Sequence, residues 1–151
     1  AVHRSRVAEK GADKLRPLLD RLVEEMPHDV EIVAPPNMPY RDFISALADA
    51  DMVCDQLYSY TPATTALLGM AMGVVPISGG EELFYDFIGE DTLRPVFNPD
   101  PRDLEGTYAR LRALVADRAA LRRMSAEAPA FVERHNDAVT VARRFIDYWT
   151  R

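Results

Sequence analysis

Three cations and a glycine lie close together near the start of the chain: Arg4, Arg6, Lys10 and Gly11. A guanidinium and an ammonium in one loop leading into a helix can hold two adjacent phosphates and stabilise negative charge as a diphosphate leaves. A solvated basic loop has the same composition. Farther along, residues 59–82 read SYTPATTALLGMAMGVVPISGGEE. Thr61 followed by Pro62 is a helix-start signal, because a Thr hydroxyl can accept from the first backbone N–H groups and proline fits the first helical position. The spacing predicts a helix from there to Met72, ending at Gly73, and a short buried strand over residues 74–77. Ser78, Gly79 and Gly80 then read as a turn able to pass close to a ligand, with Glu81 starting the next helix. Two helix N-termini close together in sequence offer unsatisfied N–H groups and the positive ends of two dipoles, which is the make-up of an anion site. Most such termini hold only water.

Asp55, with Gln56 beside it, stands at the end of a short apolar run, residues 51–55, and would face the binding edge of a sheet. Asp49 and Asp51 flank a helix-to-strand turn, where aspartate serves the backbone. Glu81 and Glu82 either cap the following helix or reach sugar hydroxyls. Leu67, Leu68, Met70 and Met72 read as core. The one cysteine, Cys54, excludes an internal disulfide and reads as a small core residue. His3, His28 and His135 lie far apart, so no metal motif and no metal are expected. GxGxxG, GxxxxGK[ST] and GxSxG are all missing, which leaves nicotinamide binding, P-loop hydrolysis and serine-esterase chemistry without support.

Those residues must be positioned by the rest of the chain. At 151 residues, 48% hydrophobic and 28% charged, it suits one domain with a real core. A formal net charge of −6 and a pI of about 5.0, without any interleaved basic and aromatic patch, argue against a nucleic-acid partner. No apolar run of membrane-spanning length and no signal-peptide pattern is visible, so a cytoplasmic location is expected. No internal repeat or low-complexity tract occurs.

Residues 1–11 open with apolar residues, as though a strand ended there, and continue as a basic loop. Leu15, Leu18, Leu19, Leu22 and Met26 form a helical stripe over residues 11–26, ended by Pro27. Residues 29–34 alternate and then run apolar, which predicts a strand ended by Pro35, Pro36 and Asn37. A helix is expected over residues 40–50, a strand over 51–55, and a short helix over 83–88 with Gly89 as terminator. Residues 94–97 are a weak strand candidate, and residues 98–101 a rigid turn. Helices follow over residues 103–117 and 118–135, the second interrupted near Pro129. The last stretch, residues 137–149, carries Val141, Phe145, Ile146 and Trp149 on one side. Alternating strands and helices imply an α/β fold with a parallel sheet covered by helices on both faces and additional helices at the C-terminal end. In such sheets ligands bind beyond the carboxyl ends of the strands, where residues 4–11, 35–40, 55–65 and 78–82 would gather.

The order of motifs, Lys10-Gly11, Asn37-Met38-Pro39-Tyr40, the run from Ala50 through Asp55-Gln56-Leu57, residues 66–76 and Gly79-Gly80-Glu81-Glu82, resembles the C-terminal half of a GT-B glycosyltransferase over about residues 4–149. The nearest branch is the bacterial group that includes capsule and lipopolysaccharide sugar transferases. The resemblance implies that residues 1–151 form a single Rossmann-like domain, the donor-binding half of a longer two-domain protein. It implies a retaining transferase that moves a sugar from a nucleoside diphosphate sugar to a glycan or lipid-linked acceptor, in polysaccharide biosynthesis, with no metal and no cofactor besides that substrate. Arg6 (or Arg4) and Lys10 would bind the diphosphate and act as the catalytic cations, with Gly11 beside them. Residues 37–40, including Asn37, Met38 and Tyr40, would lie near the base. Gly79, Gly80, Glu81 and Glu82 would approach the phosphates and sugar. The last helix would cross toward the N-terminal domain, the isolated domain would be inactive, and the resemblance allows peripheral membrane association of the longer protein.

The family carries two glutamates eight positions apart, for the donor sugar and the ribose; Thr61 and Gly69 stand there instead. The Thr61 hydroxyl can still hydrogen-bond a sugar, and Gln56 counts with the donor-binding residues. Either the ribose is held another way, by Thr64, Thr65 or Asp55, or donor binding has weakened, or Gly69 lets its helix approach a neighbour. A degenerate transferase-like module that binds a partner, and an unrelated flavodoxin-like binding domain, are the alternative readings.

Overall fold

The computed structural model describes residues 7–33 and 38–150. A helical turn, α1 (Val7–Lys10), leads through Gly11 into α2 (Ala12–Glu25). Gly11 takes a left-handed conformation, φ 70°, and a Cβ there would lie 2.6 Å from Leu57 Cβ, so only glycine lets the chain turn this close to the sheet. The expected basic loop is therefore helical from Val7 onward. Leu15, Leu18 and Leu22 of α2 are buried, as their spacing requires.

Next come α3 (Tyr40–Ala48), β1 (Met52–Cys54), α4 (Thr64–Ala71) and β2 (Val75–Ile77). The strands pair in parallel with Met52 opposite Val75, Val53 opposite Pro76 and Cys54 opposite Ile77. The ladder runs one residue past each end, with Val75 N–H donating to Asp51 O (3.0 Å) and Asp55 N–H donating to Ile77 O (3.0 Å). Phe97 adds one parallel bridge to Ile77, donating to Pro76 O (2.9 Å) and accepting from Ser78 N–H (3.1 Å). It goes no further because Pro76 has no N–H for the carbonyl of Pro95. The strand expected over residues 94–97 is thus reduced to that bridge.

Then follow α5 (Glu82–Ile88), closed by Gly89 at φ 67°, α6 (Leu104–Ala116), α7 (Arg118–Asn136) and α8 (Ala138–Trp149). The fold is mixed α/β, with a parallel two-stranded sheet among the described residues. One core cluster joins the α2 leucines to Leu57, Ile77, Phe97 and the α6 residues Tyr108, Leu111 and Val115. A second joins Met70 of α4, Tyr85 of α5, Val96, and Ala128 and Phe131 of α7.

Three further expectations need correction. Residues 30–33 form no strand, and Val33 is exposed; a single extended run needs a ladder partner, and among the described residues none lies beside it. Pro129 does not interrupt α7. The packing of Ala128 and Phe131 holds the helix, and the Ser125 carbonyl that loses its i+4 donor faces Gly73, whose own carbonyl accepts from Ser125 Oγ (2.6 Å). The N-cap of α4 is Ala63 rather than Thr61, so the helix opens at Thr64 instead of Pro62, with no side-chain cap.

Candidate functional site

The structure gathers four segments at the carboxyl end of the two strands. Asp55 follows β1 and is 2% exposed. Its Oδ1 accepts from Lys10 Nζ at 2.8 Å, and its Oδ2 accepts from Ser78 Oγ at 3.0 Å and from Ala63 N–H at 3.3 Å. A buried carboxylate is tolerated here because a cation, a hydroxyl and an amide meet both oxygens. Lys10 is brought in by α1 and pinned by its own carbonyl, which accepts from Leu57 N–H (2.7 Å). Its side chain is 21% exposed, and one of its three N–H groups is directed at Asp55, so the ammonium still faces the rim.

Ser78, Gly79 and Gly80 follow β2 and are buried. A Cβ on Gly79 would lie 2.3 Å from Ser59 O and 2.7 Å from Thr61 N. The turn therefore docks backbone to backbone on residues 59–61, and Glu81 N–H donates to Tyr60 O (3.3 Å). Gly79 makes that internal approach, while a Cβ on Gly80 would lie 3.0 Å from Val96. Gly80 N–H donates to Asn98 Oδ1 (3.2 Å), tying in the segment after Phe97.

Thr61 is exposed, and its N–H donates to Ser59 Oγ (3.2 Å) while Ser59 Oγ donates to Thr61 O (2.7 Å). This turn delays the start of α4 by two residues, from a Thr61 cap to Ala63, whose N–H donates to Asp55 Oδ2. Thr64 is exposed, and Thr65 and Gln56 are half-buried on the same rim. Gly69 is buried, and a Cβ there would lie 2.9 Å from Val53 Cγ1. Position 69 thus lets α4 approach β1, which favours the packing alternative, and it leaves no room for a carboxylate. Glu81 is the residue before α5 and makes no side-chain cap; Glu82 is exposed with Oε2 3.5 Å from Arg94.

Met38 is half-buried and Tyr40 exposed at the start of α3, and among the described residues no hydrogen bond or ion pair ties either to Asp55. Arg4, Arg6 and Asn37 lie outside the described residues. Cys54 is half-buried on β1; burial first, and the Asp55 charge next, push its thiol up to about 11, which makes it a poor nucleophile. Sequence reasoning missed Ser78 and the Ala63 amide as partners of Asp55, and Asn98 as the acceptor for Gly80. A hydroxyl just past a strand next to one ending in aspartate was the available signal for Ser78. Tyr58 and Tyr60 are exposed on the loop after β1.

No helix among the described residues is long and apolar enough to cross a membrane. Among those residues no group of three or more His, Cys, Asp or Glu side chains is placed to hold a metal ion. Comparisons of the chain with protein-family models, with curated proteins and with solved structures find no match.

Proposed function

We propose that this chain is the donor-binding domain of a GT-B glycosyltransferase, a Rossmann-like unit that holds a nucleoside diphosphate sugar for transfer to a glycan or lipid-linked acceptor. The observation that carries the reading is the meeting of Lys10, the start of α4 and the turn after β2 around Asp55 at the carboxyl ends of parallel strands. A diphosphate at that rim would face the remaining N–H groups of the Lys10 ammonium and the free amides of the first turn of α4. Chemistry there would consist of positioning and of charge stabilisation on the leaving diphosphate. Helix α8 supports the same reading: none of its residues is buried, and Phe145, Ile146 and Trp149 are exposed, as suits a helix that reaches a preceding domain.

The alternative is a degenerate module that binds a partner without transfer. It is favoured by one observation, the pairing of Lys10 with a buried carboxylate that already lowers the charge available to a diphosphate. Titration calorimetry with UDP, GDP and ADP separates the two. One nucleotide should bind, and binding should be lost in Lys10→Ala/Asp55→Asn, a double variant that removes both charges so that no buried carboxylate is left unpaired. Failure of all three nucleotides to bind the longer protein would leave the degenerate module.

A further inference from the structure

An open cleft of about 420 Å³ lies between the turn after β2 at Gly80, α5, residues 94–98, α6 and Met124 of α7, and neither Lys10 nor Asp55 lines it. We propose that this cleft is a second binding site, for a small anion that carries a carboxylate or phosphate on a compact apolar or aromatic body. Its size falls in the range of small-molecule sites.

The polar groups on its wall are nearly all donors. Arg94 lies over the Tyr85 ring, 4.1 Å from its centroid, and is held by the carbonyls of Glu90 and Leu93. Arg110 is held by Asn98 O and Thr107 Oγ1, each at 3.3 Å. A carbonyl and a hydroxyl orient Arg110 without neutralising it, whereas Arg94 also pairs with Glu82, and the five N–H groups of each leave donors over. Asn98 accepts from Gly80 through Oδ1, which leaves its NH₂ to donate. The one carboxylate on the wall, Glu82, is 80% exposed and sits 3.5 Å from Arg94 at the mouth.

Tyr85 supplies an independent observation. It lines the cleft and is 2% exposed; the Val96 amide lies against its hydroxyl oxygen, but the hydroxyl proton has no acceptor. A buried hydroxyl whose proton has no acceptor is costly to the fold, so such a group calls for an acceptor from outside. Burial pushes the phenol up to about 12, against the Arg94 charge and the nearby Val96 amide, so it meets a ligand as a proton donor. The rest of the wall is apolar, with Phe97, Leu114 and Met124. Convergent donors over an apolar floor select an anionic head and an apolar body.

Gly80 and Glu82, expected to approach the donor, line the cleft as well, but its anchoring cations are Arg94 and Arg110 rather than Lys10, so the proposal does not rest on nucleotide-sugar binding. Phenyl phosphate, 3-phenylpropionate and neutral benzyl alcohol, titrated into the chain and followed by amide and arginine Nε NMR signals, test it. At least one anion should shift residues 80, 96, 97 and 98 saturably, and benzyl alcohol should not. Phenyl phosphate alone assigns a phosphate ligand, 3-phenylpropionate alone a carboxylate, and both together the shared chemistry. Arg110→Ala should weaken binding about tenfold, and Tyr85→Phe, which keeps the packing, several-fold. Arg110→Lys, which keeps the charge but not the fork, should fall between and covers the case in which Arg110→Ala does not fold. Lys10→Ala/Asp55→Asn should leave binding unchanged. Absence of saturable shifts at these residues with both anions, equal shifts with benzyl alcohol, or binding indifferent to Tyr85→Phe would overturn it.

Discussion

At Gly79 and Gly89 the same residue type is needed for two different reasons. A Cβ on Gly79 would lie within 2.3 Å of a backbone oxygen, whereas Gly89 has a left-handed backbone, φ 67°, and nothing within 4 Å of the missing Cβ. Backbone cannot step aside as a side chain can, so Gly79→Ala should force residues 59–61 off the turn after β2 and cost about 2 to 3 kcal/mol. Gly89→Ala should cost only about 1 kcal/mol, the penalty of a left-handed alanine. Urea denaturation of the two variants measures the gap. A Gly79→Ala variant as stable as Gly89→Ala would mean that the two loops do not meet at backbone distance. The comparison also bears on the candidate site, because the Gly79 contact sets the spacing between Ser78 and the Ala63 amide around Asp55.

Among the elements, the helices of the C-terminal part are fixed by their first residues. Asp103 accepts from Gly106 N–H at 2.8 Å, Asp117 from Ala119 and Ala120, and Asp137 from Thr140 N–H at 2.7 Å. Removing the first of these caps, Asp103→Ala, should lower stability by about 1 kcal/mol in thermal or urea unfolding, since one N–H of the first turn of α6 loses its acceptor. Helices marked by such caps, by Gly89 and by an apolar stripe such as Leu15, Leu18 and Leu22 were legible in the sequence, because the signals are local. Elements that depend on a partner elsewhere were not. Residues 30–33 have the pattern of a strand without a described neighbour to pair with, Pro129 is carried by packing against α4, and the start of α4 is set by a turn at Ser59 and a carboxylate at Asp55. The same division holds at the candidate site. Lys10 and Asp55 could each be singled out from residue type and place, but that they bond to one another, and that Gly69 packs on Val53, depends on contacts across tens of residues.

At the scale of the whole molecule, Glu90 joins the end of α5 to the end of α7. It is 1% exposed, and its Oε2 accepts from Arg134 (2.7 Å) and meets His135 Nε2 (2.8 Å). Oε1 accepts from the Thr92 amide and hydroxyl and from the Leu93 amide. Burial pushes this carboxyl up, but the bonds from His135, Leu93 and Thr92 together outweigh it and hold the group well below the usual carboxylate range. A depressed native pKa means that the unfolded chain takes up the proton first. The contribution of Glu90 is therefore fully present above the ordinary value of 4.5 and is lost as pH falls below it. Glu90→Gln should be about 2 to 4 kcal/mol less stable than the parent chain at pH 7, since Arg134 and His135 lose the charge they face. Its deficit should shrink steadily between about pH 5 and pH 3, because the parent loses what the variant never had. Urea midpoints measured across that range decide the matter. A deficit that stays constant with pH would mean that Glu90 acts through shape alone, and one that grows toward low pH would reverse the sign of the linkage and remove the carboxylate as the tie between α5 and α7.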